Sequence, residues 1–287
     1  MATPAVLTLR KAQEEDRGRL ANLLHFEAHV HRHLDWRHAL DWLGRHPFLV
    51  AENSGRLGAA LACPPDPPSI AWLRLFAVSA RTTPSEAWKV LWPAAEEQLA
   101  EKVNQVVAIP LYGWFNELLS ASQFEHVHNV VVLEWEPEFE KSLLNQGEQV
   151  ADVRAMRNED LASVLAVDNG GFPPLWQHSL ETIQMAFAHC SNATIIEVEG
   201  EVAAYQISTI SGQGLHLARL AVHPKWQGKH FAQSLVHKLQ SEVGQLQKQR
   251  LTVNTQDINK PSLALYEKAG FKFTNESFPV YQLEISK

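Results

Sequence analysis

Cysteine is scarce in this chain, and its basic residues are outnumbered by its acidic ones. The 287 residues include only two cysteines, Cys63 and Cys190, which are too far apart for a CxxC site or a disulfide framework. The 25 Lys and Arg against 32 Asp and Glu give a net charge of -7, which argues against a sequence-independent nucleic-acid-binding protein. No apolar run approaches the roughly 18 residues of a membrane helix, and Met1 to Arg10 lacks a signal-peptide pattern. The sequence therefore predicts a cytoplasmic protein that binds neither nucleic acid nor membrane.

An internal repeat, offset by about half the chain, is the main feature that is present. Apolar residues make up 45% of the chain, enough for a sizeable core in one large domain or two average ones. Four pairs of segments match in the same order: Arg10–Asp16 with Arg154–Asp160, Phe48–Gly55 with Ala193–Gly200, Arg74–Val78 with Arg219–Val222, and Leu118–Phe124 with Leu265–Phe271. The repeat predicts two homologous domains, 1–137 and 151–287, joined by the polar stretch from Glu136 to Val150.

Each half has the alternating pattern of an α/β domain with a mixed sheet. In the second half, strands are predicted at 153–155, 194–198, 202–209, 215–222, 251–254 and 281–285, and helices begin near Asp160, Phe231 and Lys260. Seven of the nine tryptophans fall in the first half, which predicts a bulkier core or a domain interface there.

The segment Leu220–Ala232 carries the strongest local signal for chemistry. A strand enters a polar turn containing Gly228, and the turn opens onto an amphipathic helix that starts at Phe231. Such a turn presents unpaired backbone N–H groups at the positive end of the helix, where a phosphate binds. Lys225 and Lys229 add positive charge. The alternative interpretation is an ordinary strand–loop–helix turn.

Two motifs in the second half resemble those of the GCN5-related N-acetyltransferases (GNAT). Ala221-Val-His-Pro-x-x-Gln-Gly-Lys is similar to the loop that binds the acetyl-CoA pyrophosphate, with Gln227 at its first position and Ala232 at its last. Asn259-Lys-Pro-Ser-Leu-Ala-Leu-Tyr-Glu-Lys-Ala-Gly-Phe271 resembles the second family motif. The resemblance covers about 153–285 and implies two tandem acyl-CoA N-acyltransferase domains with acetyl-CoA as the acyl donor.

The first half resembles the same fold without its chemistry. Arg81–Trp88 stands at the phosphate-loop position but contains no Gly, and its Glu86 would repel a pyrophosphate. Leu119 stands in place of Tyr266. The first domain is therefore expected to be degenerate and to bind no CoA.

The resemblance also implies roles for individual residues of the second half. Tyr266 would donate a proton to the leaving thiolate, and the backbone amide of Leu220 or Ala221 would stabilise the oxyanion. His230 stands where the family has Gly, so its ring either points away from the phosphates or donates to them. The implied cofactor-binding residues are Leu220, Ala221, Val222, Gln227, Gly228, Lys229, His230, Phe231, Ala232 and Asn259. Asn259 could equally be a helix N-cap.

The general base and the acceptor site are less sharply marked. Strict alternation would place His216 on one face of its strand with Ala218, Leu220 and Val222, so His216 is a candidate base. It could also be structural, and Glu197 and Glu199 are weaker alternatives. Phe172 and Trp176, in the loop from 169 to 178, could line the substrate pocket or simply pin the loop.

Histidines are concentrated near the start of the chain. His25, His29 and His33 recur every four residues, which on a helix would place them on one face. No cysteine or carboxylate completes a recognised metal pattern, so no metal site is predicted.

These patterns together predict an acetyl-CoA-dependent N-acetyltransferase with its active site in the second domain. The acetyl group would pass directly to an amine of a small molecule or peptide, since no cysteine lies in the motifs. The alternative is a non-catalytic acyl-CoA-binding or protein-interaction module. A monomer is favoured over a homodimer, because the degenerate half can supply the contact that dimerisation gives to other members.

Overall fold

The chain forms two compact units that do not follow the midpoint of the sequence. The computed structural model describes residues 7–137, 151–245 and 249–285. One unit comprises Met1–His128 with Phe278–Lys287, and the other comprises Asn129–Ser277. Compared with the repeat halves 1–137 and 151–287, each unit thus includes a strand segment from the other half. Residues 138–150 of the predicted linker lie outside the described residues.

Strands and helices alternate along both halves, as predicted. The strands are β1 (Thr8–Lys11), β2 (His29–Arg32), β3 (Phe48–Asn53), β4 (Arg56–Ala62), β5 (Ile70–Trp72), β6 (Leu75–Val78), β7 (Gln105–Ala108), β8 (Glu125–Trp135), β9 (Val153–Ala155), β10 (Asn192–Val198), β11 (Glu201–Ser211), β12 (Gly214–Val222), β13 (Leu251–Gln256) and β14 (Lys272–Glu284). The helices are α1 (Arg17–Phe26), α2 (Pro84–Leu99), α3 (Gly113–Ser120), α4 (Leu161–Gly171), α5 (Leu180–His189), α6 (Phe231–Gln245) and α7 (Lys260–Lys268).

The first unit has an antiparallel sheet and a core rich in aromatic rings. Its sheet has the order β1-β3-β4-β6-β2, while β5 pairs with β7 in parallel and β7 pairs with the end of β14 in antiparallel orientation. Trp88 and Trp92 of α2 stack with ring centroids 5.1 Å apart, and both are buried. Phe124 packs edge-on against both rings. The tryptophans of α2 therefore build the core of the first unit.

The second unit has a mixed sheet with helices on both faces. Its strand order is β9-β10-β11-β12-β13-β8, antiparallel except for the parallel pair β12–β13. Side chains of α6 and α7 form an apolar cluster with Leu215 and Leu217 of β12, whereas α4 contacts β11 and β12. The predicted mixed α/β fold is confirmed. The last predicted strand is longer than expected, since β14 begins at Lys272.

Each unit contains the same ion triad, which explains part of the sequence repeat. Arg10 donates to the two carboxylate oxygens of Asp16 at 2.6 and 2.7 Å and to Glu52 at 2.8 Å. The hydrogen bonds from Arg10 lower the pKa of Asp16 to about 2. Because this triad ties the first strand to the start of the first helix, its residues recur together. The second unit repeats it with Arg154, Asp160 and Glu197, at 2.8, 2.8 and 2.7 Å.

Candidate active site

A notch opens between two parallel strands of the second unit. β12 pairs with β13 only over Leu215–Leu217. Beyond that point, within the part of the chain that the structure describes, the edge of β12 from Ala218 to Val222 has no strand partner on the β13 side. Its backbone N–H and C=O groups can therefore pair with an extended ligand, as the edge of a sheet pairs with an added strand.

A β-bulge at Ala218 changes which side chains face the same way. Leu217 lies opposite Ser208, but Arg219 lies opposite the next residue, Ile207, so Ala218 is the extra residue. Strict alternation predicted that His216 shares a face with Leu220 and Val222, and this was wrong. The bulge shifts the phase by one residue, so that His216 shares a face with Arg219 and Ala221.

His216 is held in a state suited to accepting a proton. Thr252 Oγ1 lies 2.9 Å from His216 Nδ1 and 3.4 Å from the Leu215 carbonyl oxygen. The tautomer with the proton on Nδ1 is the one in which both contacts are hydrogen bonds, from His216 to Thr252 and from Thr252 to Leu215. This tautomer leaves Nε2 as the nitrogen with a free lone pair, and no described residue bonds to it. Burial lowers the pKa of His216 below its usual value of 6.5, so the ring is neutral at neutral pH.

The ring of Tyr266 is buried, but its hydroxyl has no hydrogen-bond partner among the described residues. Tyr266 is 5% exposed and packs with Leu217 and Phe271, its ring centroid 5.5 Å from that of Phe271. Burial raises the pKa of the phenol above its usual value of 10. The hydroxyl therefore stays protonated and is free to donate to a bound group. It lies on the α7 side of β12, opposite to the face of His216.

The loop before α6 takes an unusual backbone path. Gly228 has φ +77° and His230 has φ +61°, in the left-handed region that favours glycine. The family's central Gly is thus replaced by a residue that keeps the glycine conformation, and the His230 ring is exposed. Gln227 Nε2 donates to the Val222 carbonyl at 3.3 Å and braces the loop.

Lysines and an anchored aromatic ring complete the loop. Trp226 is buried, and Lys225 Nζ and Lys229 Nζ lie 4.7 and 4.5 Å from its ring centroid. Phe231 fixes the start of α6 by packing with Trp226 in the core, and Ala232 follows it on the first turn of the helix. No described side chain accepts a hydrogen bond from the amides of 228–231, which remain available to an anion.

Asn259 caps the second motif helix. Its Oδ1 accepts from the Ser262 amide at 3.3 Å, and its Nδ2 donates to Gln256 at 3.3 Å. The N-cap interpretation is confirmed. A contact between Asn259 and the cofactor stays a prediction.

A buried ion pair that the sequence analysis missed connects β12 to α4. Arg219 donates to both oxygens of Asp168, from Nε at 2.8 Å and from Nη2 at 3.0 Å. The Tyr205 hydroxyl donates to the same carboxylate. Asp168 and Tyr205 are fully buried, and burial raises the pKa of the Tyr205 phenol well above its usual value. Local signals existed for both charged residues: Arg219 matches Arg74 in the repeat, and Asp168 lies on the apolar face of α4.

The two predicted substrate residues are half-buried and tied to this pair. The Arg219 guanidinium lies 3.6 Å from the ring centroid of Phe172 and donates to the Trp176 carbonyl. The other candidate bases are placed differently. Glu197 is bonded to Arg154, and Glu199 lies exposed in the turn between β10 and β11.

The equivalent edge of the first unit is covered by its own chain. β5 and β7 pair in parallel as β12 and β13 do, but β6, which corresponds to the free part of β12, pairs with β2 over four residues. His31 of β2 is fully buried, its Nε2 lies 3.1 Å from the Leu73 carbonyl, and its ring stacks on Phe115 at 4.2 Å. A strand of the protein therefore lies where the second unit leaves an open edge.

The start of α2 in the first unit, which corresponds to the start of α6, is occupied by the protein's own side chains as well. Thr83 and Glu86 form a capping box in which the Glu86 carboxylate accepts from the Thr83 amide at 3.0 Å and the Thr83 hydroxyl accepts from the Glu86 amide at 3.2 Å. Leu119, in place of Tyr266, is an apolar core residue. The first unit thus lacks three features that make the notch of the second unit suitable for a ligand.

The helical arrangement proposed for His25, His29 and His33 was wrong. α1 ends at Phe26, and His29 lies in β2, so these rings do not share a helix face. In the described residues, no group of three or more His, Cys, Asp or Glu side chains is placed to hold a metal ion. None of the described helices is both long and apolar enough to cross a membrane.

Known proteins share this fold and its duplication. The model of the acetyltransferase (GNAT) family matches residues 161–271. A tandem GNAT protein from the clavulanic acid biosynthesis pathway, solved without AcCoA, has a TM-score of 0.65 and 13% identity, covering 98% of this chain and 99% of its own. A GCN5-related N-acetyltransferase from Sphaerobacter thermophilus has a TM-score of 0.59 and 12% identity, covering 100% and 98%.

A third structure extends the likeness. A probable N-acyltransferase from Enterococcus faecalis, a conserved protein of unknown function, has a TM-score of 0.72 and 11% identity, covering 98% of this chain and 73% of its own. The solved structures confirm the predicted fold, and the family model confirms the predicted family over residues 161–271. Residues 161–271 belong to the acetyltransferase (GNAT) family, and the chain as a whole has the fold of a tandem GNAT superfamily member.

Proposed function

We propose that the protein is an acetyl-CoA-dependent N-acetyltransferase whose active site is the notch of the second unit. The GNAT fold supports an acyl-CoA-dependent N-acyltransferase in general. The observation that carries the finer proposal is the free edge of β12 from Ala218 to Val222, which leads directly into residues 223–230 before α6, the proposed phosphate loop. A pantetheine arm would pair with this edge, and its pyrophosphate would meet the amides at the start of α6.

Groups on both faces of the notch supply the chemistry of acyl transfer. The acceptor amine attacks the thioester carbonyl, so that a C–N bond forms and the C–S bond breaks. His216 Nε2 takes the proton that the amine loses, and the Tyr266 hydroxyl gives a proton to the departing thiolate. A backbone amide at Leu220 or Ala221 stabilises the oxyanion. The acceptor is a small molecule or peptide with a free amine.

The experiment combines acetyl-CoA titration with a turnover assay on an amine panel. Wild type is expected to bind acetyl-CoA with micromolar affinity, about -8 kcal/mol. Tyr266→Phe is expected to lower kcat about 100-fold, because the leaving thiolate loses its proton donor, and to leave the Kd unchanged. Release of free CoA thiol reports turnover.

A matched tyrosine provides the control. Tyr281 is also buried, and its hydroxyl bonds to Ser120 at 2.6 Å in the first unit. Tyr281→Phe should leave turnover intact. Absence of acetyl-CoA binding in wild type would refute the proposal, and binding without transfer to any amine would favour the non-catalytic acyl-CoA-binding module.

A further inference from the structure

The Arg219–Asp168 pair lies at the junction between the notch and residues 172–178, the part of the predicted acceptor loop 169–178 that follows α4. Arg219 belongs to the stretch of β12 whose edge is free. Its side chain is 9% exposed, and that of Asp168 is 0% exposed. A pair so deeply buried costs desolvation energy, and replacing such pairs with apolar residues is often neutral or stabilising. Stability alone is therefore a weak reason for a charged pair at this position.

The pair holds the acceptor loop at several points. Arg219 contacts it twice, through the Phe172 ring and the Trp176 carbonyl. Asp168 accepts from the His178 amide at 3.1 Å, and its own carbonyl accepts from the Phe172 amide at 2.9 Å. Both ends and the middle of the loop are thus attached to one guanidinium–carboxylate unit.

We propose that Arg219 is a positioning residue for the acceptor amine. Arg219 fixes the loop 172–178, which forms the wall on the acceptor side of the notch. This inference rests on the proposed function. Asp168 and the Trp176 carbonyl accept from Nε and Nη2 of Arg219, so these donors hold the loop and not a substrate anion. A planar guanidinium can stack on Phe172 while it donates in its own plane to Asp168 and Trp176, and a lysine ammonium cannot do both.

The test uses charge-free double variants so that no buried charge is left unpaired. Asp168→Asn/Arg219→Met keeps an oxygen for the His178 amide but removes the guanidinium. The matched control is Asp35→Asn/Arg74→Met in the first unit. There Arg74, the repeat equivalent of Arg219, donates to Asp35 at 2.7 Å and lies 4.6 Å from the ring centroid of Trp42.

Three quantities are measured on wild type and both variants. They are hydrogen exchange of 172–178, the Kd for acetyl-CoA, and the KM for the fastest-reacting amine among spermidine, glucosamine and peptides with a free α- or ε-amino group. In Asp168→Asn/Arg219→Met, exchange should rise in the loop and the KM for the amine should rise about tenfold or more, because the wall is misplaced. The Kd for acetyl-CoA should stay within about twofold, because β12 keeps its free edge.

The outcomes separate this inference from the proposed function. Arg219→Lys should raise the KM as much as the double variant does, since a lysine ammonium cannot stack on Phe172 and also donate to both Asp168 and Trp176. Unchanged exchange in 172–178, or an equal change in the KM of the first-unit control, would overturn the positioning role. Failure of wild type to bind acetyl-CoA would instead refute the proposed function, and the exchange comparison would still decide whether Arg219 holds the loop.

Discussion

His230 shows how one residue departs from its family pattern while keeping the backbone that the pattern requires. Its φ of +61° places a non-glycine residue in the left-handed region. The position needs glycine geometry because the loop must bring backbone amides toward one point, and His230 adopts that geometry at a cost in strain.

His230→Gly should raise the free energy of unfolding by about 1 kcal/mol, since glycine adopts this φ without strain. The Kd for acetyl-CoA should not rise, because we propose that the backbone amide, and not the exposed ring, contacts the pyrophosphate. Urea unfolding and calorimetric titration measure the two quantities. Glu199→Gly, at φ +55° in a turn away from the loop, should stabilise comparably without affecting binding. A weaker affinity in His230→Gly would show that the imidazole donates to the phosphates.

His216 predicts the pH dependence of the reaction. Because burial lowers the pKa of His216 below 6.5, the ring remains a competent base down to that lowered value. As pH falls through it, the ring gains a proton and kcat/KM should fall. His216→Gln should lower the rate about 100-fold and lose this acid limb. A variant that keeps both the rate and the limb would place the base elsewhere.

At the scale of elements, strand β2 of the first unit has no counterpart among the described residues of the second unit. Its buried His31 is neutral, and burial lowers the pKa of His31 to about 4. Between the ordinary value of 6.5 and about 4, the unfolded chain binds a proton that the folded chain does not. Stability from this residue is therefore complete above pH 6.5 and is lost as the pH falls toward 4.

This linkage can be measured with one substitution on β2. From pH 7 to pH 4, wild type should lose about 3 kcal/mol more unfolding free energy than His31→Gln, which does not titrate. Urea unfolding across this range tests the difference. His29→Gln, on the same strand but partly exposed, should retain the wild-type slope. Equal slopes for wild type and His31→Gln would mean that His31 takes up its proton at the same pH in the folded and the unfolded chain, so that burial does not lower its pKa.

The β-bulge at Ala218 shows which features of an element could be predicted. The apolar pattern identified β12 and its bounds, because side-chain period is local. One extra residue in the ladder reversed the face of His216, and it arises from pairing with β11, where Leu217 lies opposite Ser208 and Arg219 lies opposite Ile207. A pairing partner is not visible in the strand's own sequence.

At the scale of the whole molecule, the duplication yields one open notch and one closed one. In the first unit, β2 covers the edge of β6 and the capping box of Thr83 and Glu86 occupies the start of α2. In the first unit, the strand edge and the helix start that correspond to the proposed acetyl-CoA site are both occupied by the protein itself. We therefore expect one acetyl-CoA per chain.

Calorimetric titration measures this stoichiometry directly. Wild type should bind with n close to one, and Lys229→Glu should weaken that single site by reversing a charge beside the phosphate loop. Glu86→Gln, which removes the carboxylate at the start of α2, should leave n unchanged because β2 still covers the edge. Two sites of similar affinity in wild type would contradict the closure of the first unit.

The sequence by itself determined the features that depend on contiguous residues, namely the motifs and the secondary-structure elements. The two motifs around Gln227 and Tyr266 identified the family, and the repeat of Arg10 and Arg154 indicated the duplication. Both could be predicted because turns, caps and helical periodicity depend on residues that are close together in the sequence. Tertiary structure alone decided which notch is open. The exchange of terminal strands, the cover of β6 by β2 and the Arg219–Asp168 pair each join segments that are distant in sequence, and their energies depend on burial that only the folded chain creates.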